Sequence, residues 1–206
     1  MKQKNRIGIS GGTFDPIHHG HLIMAELARE KFKLDKVLFI PTGNPPHKNN
    51  LDVTPAEQRY NMVCRATESN DYFETLRTEI DRVGYTYAVD TLNELRQAYG
   101  KDTEFYYIIG ADVVFDLLNW KNSKEVLRLC EFIAVQRPGF EKERFADCVR
   151  KLQTDYGAVV HTLNMPQIEI SSTGIRERVS RGGSVKYLVP ESVEECILNQ
   201  GLYRKL

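Results

Sequence analysis

The sequence predicts an α/β fold, an open doubly wound parallel sheet with a small C-terminal helical cap. Short apolar runs rich in β-branched and aromatic residues recur along the chain, each bounded by Gly or Pro. Helical patterns separate them, and that alternation favours parallel strands with helices on both faces. The 206 residues suffice for one well-buried core. The expectation is therefore a single domain over residues 1–206, with about 171–206 as a helical subregion.

Five runs read as buried strands. Arg6-Ile7-Gly8-Ile9-Ser10 stops at Gly11-Gly12, and Val37 to Ile40 is closed by Pro41. Phe105 to Ile109 ends at Gly110. Phe132 to Val135 ends before Arg137-Pro138-Gly139, and Ala158 to Val160 is weaker. Helices are predicted between them. His21 to Phe32 places Leu22, Ala25, Leu27 and Ala28 on one face. Thr54-Pro55-Ala56-Glu57 reads as a capping box, with Pro at the first helical position, for a helix to about Ser69. Tyr87 to Tyr99 ends at Gly100 and Glu141 to Tyr156 at Gly157, both plausible C-terminal caps. Ser171 to about Arg181 and Pro190 to Asn199 supply the cap.

Composition narrows the function classes. Lys plus Arg count 28 and Asp plus Glu 28, so no global charge footprint points to nucleic acid or an anionic membrane. An anionic small ligand needs only a local cationic pocket. The basic start Met1 to Arg6 leads into a run that Gly8, Ser10, Gly11 and Gly12 interrupt, unlike a signal peptide. No stretch approaches the ~20 apolar residues of a membrane span, and a cytoplasmic location is expected. Cys64, Cys130, Cys148 and Cys196 are too widely spaced for a C-x-x-C motif and read as reduced thiols.

Sheets of this class bind ligands at the carboxyl ends of their strands, where strand order reverses. Gly11-Gly12-Thr13-Phe14-Asp15-Pro16-Ile17-His18-His19-Gly20-His21 occupies such a place, between the first strand and first helix. The glycines let backbone approach a ligand, and the helix start offers free N–H groups to an anion. His18 and His21 can point the same way and donate to phosphate oxygens. A dinucleotide-binding G-x-G-x-x-G would need glycine where Ser10 stands, and G-x-x-x-x-G-K-[ST] is absent. Zinc through His18 and His21 lacks a third ligand. The second signal is Ile170-Ser171-Ser172-Thr173-Gly174-Ile175-Arg176. Three hydroxyl residues exceed what a helix cap needs, and Arg176 adds a fork-shaped cation suited to phosphate.

These two motifs resemble those of the T/H-x-G-H nucleotidyltransferase superfamily. Within it the chain looks like the bacterial nicotinate-nucleotide adenylyltransferases, through Pro41-x-x-x-Pro45-Pro46-His47-Lys48, Asp90-Thr91-Leu92, Ile109-Gly110-Ala111-Asp112, Trp120 and Arg137-Pro138-Gly139. The resemblance covers nearly the whole chain. It implies a Rossmann-like nucleotidyltransferase fold, with ATP and nicotinate mononucleotide as partners and Mg²⁺ accompanying ATP. The implied products are nicotinate adenine dinucleotide and pyrophosphate, in NAD biosynthesis. His18, His21 and Arg176 match the catalytic positions. Gly11, Gly12, Thr13, Phe14, Ser172 and Thr173 join them around ATP. Lys48, Thr86, Tyr87, Asp112 and Trp120 match the mononucleotide pocket, with no protein metal ligand. Two departures stand out. Thr86-Tyr87-Ala88 replaces the family's frequent Ser-Tyr-Thr, and Lys121 follows Trp120 where many relatives carry Tyr. The rival readings are transfer onto nicotinamide mononucleotide, phosphopantetheine or a cytidylyl acceptor, and a nucleotide-sensing protein without turnover. For Pro45 to Asn50, closure over substrate and an ordinary polar loop stand equal. Self-association is left open.

Overall fold

The protein is described from a computed structural model, which covers residues 5–45, 53–136, 142–166 and 168–204. Its sheet has six strands: β1 (Arg6–Gly12), β2 (Lys36–Pro41), β3 (Phe73–Thr75), β4 (Glu104–Gly110), β5 (Glu131–Gln136) and β6 (Val160–Asn164). All pair in parallel, in the order β3-β2-β1-β4-β5-β6. The expected doubly wound sheet is the observed one. The helices are α1 (His19–Phe32), α2 (Ala56–Thr67), α3 (Ala88–Tyr99), α4 (Ser123–Leu129), α5 (Lys142–Tyr156), α6 (Ser172–Ser180) and α7 (Glu191–Asn199), plus a 3₁₀ helix over Ala111–Asn119.

Apolar residues fill both faces of the strands, as parallel sheets covered on both sides require. Val37, Phe39, Tyr106 and Ile108 pack with residues of α1, α2, α6 and α7. Leu38, Ile40, Phe105, Tyr107 and Ile109 pack on the opposite side with residues of α3, α4, α5 and the 3₁₀ helix. The two-residue alternation of strand side chains thus sorts one sequence run into two cores.

Several boundaries differ from expectation for physical reasons. The weak run at Ala158–Val160 becomes a strand only from Val160, because the Ala158 amide donates to Leu152 and closes α5. β3 has three half-buried residues, too few for a periodic signal. The capping box at Thr54 is not used. Pro55 is the N-cap of α2 and makes no side-chain cap bond. Thr54 is engaged elsewhere: its amide donates to Asp15 Oδ2 (3.3 Å) and its carbonyl accepts from Arg59 Nε (2.8 Å).

Two features of this frame decide where a ligand can go. The β1–β4 ladder stops at Ile9–Tyr107, whereas β1 stays paired with β2 through Gly12–Pro41 and β4 with β5 through Gly110–Val135. The sheet therefore parts at its centre, at the strand-order reversal. Second, Arg59 of α2 is 1% exposed, and its guanidinium donates to three backbone carbonyls: Thr54, Thr13 (2.6 Å) and Gly43 (3.1 Å). One buried cation ties the loops after β1 and β2 to the start of α2. Removing it would strand three carbonyls, so Arg59→Ala is expected to lower the unfolding free energy by about 3 kcal/mol or more in urea denaturation. A loss below about 1 kcal/mol would mean that the loops hold without it.

Candidate active site

Where β1 and β4 part, a cleft of about 440 Å³ opens. Gly11 and Gly12 of β1 and Thr13 just after it line it on one side, with His21 and Met24 from α1 and Tyr107 to Gly110 from β4. Glu79, Thr86, Tyr87 and Ala88 form a second wall, and Asp112, Val113, Trp120 and Lys121 a third. The volume suits a small molecule.

The loop after β1 is stiff. Phe14 has φ +49°, in the left-handed region, and its buried ring meets the His21 ring edge-on at 5.1 Å. His18, 4% exposed, is the N-cap of α1 and stacks on His21 with ring centroids 3.7 Å apart. The His18 amide donates to His21 Nδ1 at 3.2 Å. His18 and His21 stand at the N-cap and N3 positions of a capping box, with histidine in the place usual for Glu or Gln. Because Nδ1 accepts, a neutral His21 carries its proton on Nε2, which can donate to an oxyanion. A Cβ on Gly20 would come within 3.0 Å of the His18 ring, which explains the glycine between the histidines.

The C-terminal segment grips the same loop. Ser172 Oγ donates to the Pro16 carbonyl (2.9 Å), and Arg176 Nη1 to that of Asp15 (2.7 Å). Tyr203 Oη donates to Asp15 Oδ1 (2.7 Å), and the His19 amide to the Leu188 carbonyl (3.1 Å). Burial and the adjacent Asp15 push the Tyr203 hydroxyl up, so it remains a donor. Ser171 caps α6 by accepting from the Gly174 amide (3.1 Å).

The rest of the cleft lining is aromatic and acidic. Trp120 meets Tyr107 edge-on at 5.6 Å. Glu79 is buried, and its Oε1 accepts from Thr91 Oγ1 at 2.7 Å. Burial pushes this carboxyl up, against the Thr91 and Thr86 hydroxyls that pull it down. Thr91 also accepts from Arg82 (3.1 Å), which pairs with Glu94 (2.8 Å). Lys121 Nζ lies 4.0 Å from the centroid of the Tyr87 ring.

The sequence profile of the Cytidylyltransferase-like family matches residues 9–178. A protein of a Thermoanaerobacter species named "probable nicotinate-nucleotide adenylyltransferase" is 50% identical over 205 residues, spanning 100% of this chain and 97% of its own. The chain belongs to the nicotinate-nucleotide adenylyltransferase family. A Moorella thermoacetica relative of the same name is 50% identical over 99% of this chain and 94% of its own. In fold, the chain is similar to the Plasmodium falciparum nicotinic acid mononucleotide adenylyltransferase complexed with APC. That match has a TM-score of 0.76 at 17% identity and covers 97% of both chains. The same parasite protein complexed with NaAD gives 0.75 at 18% identity, again over 97% of both.

The expected site residues of this adenylyltransferase-family chain fall into four groups. Gly11, Gly12, Thr13, His21, Thr86, Tyr87, Asp112 and Trp120 line the cleft. Phe14 and His18 are buried beside His21, while Ser172, Thr173 and Arg176 sit outside the lining. Arg176 bonds the loop carbonyl at Asp15 and, at 3.4 Å, Thr173 Oγ1. Lys48, with Pro46, His47 and Arg137-Pro138-Gly139, lies outside the described residues. Thr86 is buried, and both its amide (3.1 Å) and its hydroxyl (3.3 Å) donate to the Asn44 carbonyl. Glu79, Tyr107 and Arg59 carried no sequence signal, and Lys121 stood out only as a departure from the family pattern. Each is an ordinary residue type made special by distant partners.

Gly11 illustrates how tight the parting is. A Cβ there would land on the hydroxyl of Tyr107, a buried side chain whose pKa burial pushes up. Gly11→Ala is expected to cost about 2 kcal/mol of stability through overpacking. Adding Tyr107→Phe should recover more than half of that in a double-mutant cycle of chemical denaturation. Simple additivity would mean the two groups do not touch.

Proposed function

We propose that the chain transfers the adenylyl group of ATP to nicotinate mononucleotide, releasing pyrophosphate and nicotinate adenine dinucleotide in NAD biosynthesis. One observation carries the reading. A single cleft at the strand-order reversal brings together glycine backbone, the His21 imidazole and the Trp120 indole. Relatives of the same name at 50% identity support it.

In this reading ATP lies along Gly11 to Thr13, with His18 and His21 at its phosphates and Ser172, Thr173 and Arg176 closing on them. Trp120 stacks on the pyridine ring. Lys48, Thr86, Tyr87 and Asp112 complete the mononucleotide pocket. An oxygen of the acceptor phosphate, already ionised near neutral pH, forms a bond to the α-phosphorus of ATP. The bond from that phosphorus to the β-bridging oxygen breaks, and pyrophosphate leaves with the electron pair. No covalent enzyme intermediate is needed. The obstacle is mutual repulsion of two anions, so positioning and charge stabilisation are the work of the protein. His21 Nε2–H, oriented through Nδ1, serves that end.

Mg²⁺ would come with the nucleotide and neutralise phosphate charge. The donor set fits an ion held mainly by phosphate oxygens and water. Asp112 offers one exposed carboxylate in the cleft, and no group of three or more His, Cys, Asp or Glu that could hold a metal occurs among the described residues. A cytoplasmic location accompanies this reading because ATP is supplied there. Among the described residues no helix is long and apolar enough to cross a membrane.

The test is pyrophosphate release from ATP with nicotinate mononucleotide, nicotinamide mononucleotide or phosphopantetheine as acceptor. The nicotinate acceptor should be fastest, and silence with it would overturn the reading. His21→Ala should lose on the order of 10²-fold in kcat while its Tm stays within a few degrees. Trp120→Ala should raise the mononucleotide KM roughly fivefold and the ATP KM less, the loss of one stacking contact.

A further inference from the structure

Lys121 is an exposed residue of the cleft lining in an unusual electrostatic position. It is the only Lys or Arg among the described residues lining the cleft, which also holds the carboxyl groups of Glu79 and Asp112. It makes no ion pair among the described residues. Its ammonium rests instead on the face of Tyr87, 4.0 Å from the ring centroid. That contact spans the cleft from the wall carrying Trp120 to the wall carrying Tyr87. An exposed cation–π contact is weak and easily given up for a charge-assisted hydrogen bond to a carboxylate.

A ring carboxylate entering this recess meets two acidic side chains and needs an offsetting cation. A ring carboxamide does not. The phosphate is common to both acceptors, so it does not distinguish them. We propose that Lys121 is a specificity-determining residue, leaving the Tyr87 face to pair with the carboxylate of the nicotinate ring and so favouring the acid acceptor over its amide. This rests on the reading above, that the pyridine ring stacks on Trp120.

Three proteins decide the matter: the wild-type chain, Lys121→Met and Lys121→Arg. Each is assayed for pyrophosphate release from ATP with nicotinate and with nicotinamide mononucleotide. In Lys121→Met the ratio of kcat/KM, nicotinate over nicotinamide, should fall roughly 5–20-fold, mainly through the nicotinate KM. Lys121→Arg keeps the charge and should restore the ratio to within about threefold of wild type. An unchanged ratio in Lys121→Met overturns the assignment. So does an equal loss on both acceptors, which would put the ammonium on the shared phosphate. A wild-type chain silent with both acceptors would bring down the underlying reading and this assignment with it, so the wild-type arm tells the two failures apart.

Discussion

Everything at the cleft depends on β1 and β4 ceasing to pair after Ile9–Tyr107 while each stays bonded to its outer neighbour. A parallel sheet satisfies its backbone groups through its ladders. Here the central ladder ends early, and the strand ends diverge without fraying because β2 and β5 hold them. Backbone at Gly11 and Gly12 thus faces open space instead of another strand. The Tyr107 hydroxyl fills the base of the gap against Gly11. A rigid frame with a gap at its centre is what a reaction governed by positioning requires.

The loop that uses this gap is held from two sides by different chemistry. From α2, Arg59 donates to the Thr13 and Gly43 carbonyls. From the C-terminal segment, Ser172 and Arg176 take two carbonyls further along the loop, those of Pro16 and Asp15. The Asp15 carboxylate meanwhile accepts from Tyr203 and from the Thr54 amide. A buried loop must pair its polar groups or lose stability. This loop pairs them with side chains from elements far apart in sequence. Its conformation, including the left-handed Phe14, is therefore imposed by the fold rather than by local preference.

Much of this was legible in the sequence, for a specific reason. β1, β2, β4 and β5 announce themselves because both faces are buried, leaving nearly continuous apolar runs. The opening loop and the Ser-Ser-Thr segment stand out because Gly, His and hydroxyl residues at fixed spacing are unusual beside helix starts. What stayed hidden is tertiary. Glu79 reads as one more surface acid until Thr91 is seen against it. Thr54 reads as a cap until Asp15 and Arg59 claim its backbone. The 3₁₀ helix over Ala111–Asn119, just past the strand's stop at Gly110, carries too mixed a pattern to be read as a helix, yet it leads to Trp120 and Lys121.

The bonds from Ser172 and Arg176 to Pro16 and Asp15 close spans of 156 and 161 residues. Contacts of such long range form only after the intervening chain has been laid down. On a ribosome, β1 emerges early and waits, glycines and histidines in hand, while the other strands are made. The loop acquires its C-terminal clamps only once α6 and then Tyr203 have been made, so a nascent chain ending before residue 172 would contain the sequence of every strand and still have only Arg59 to fasten its first turn.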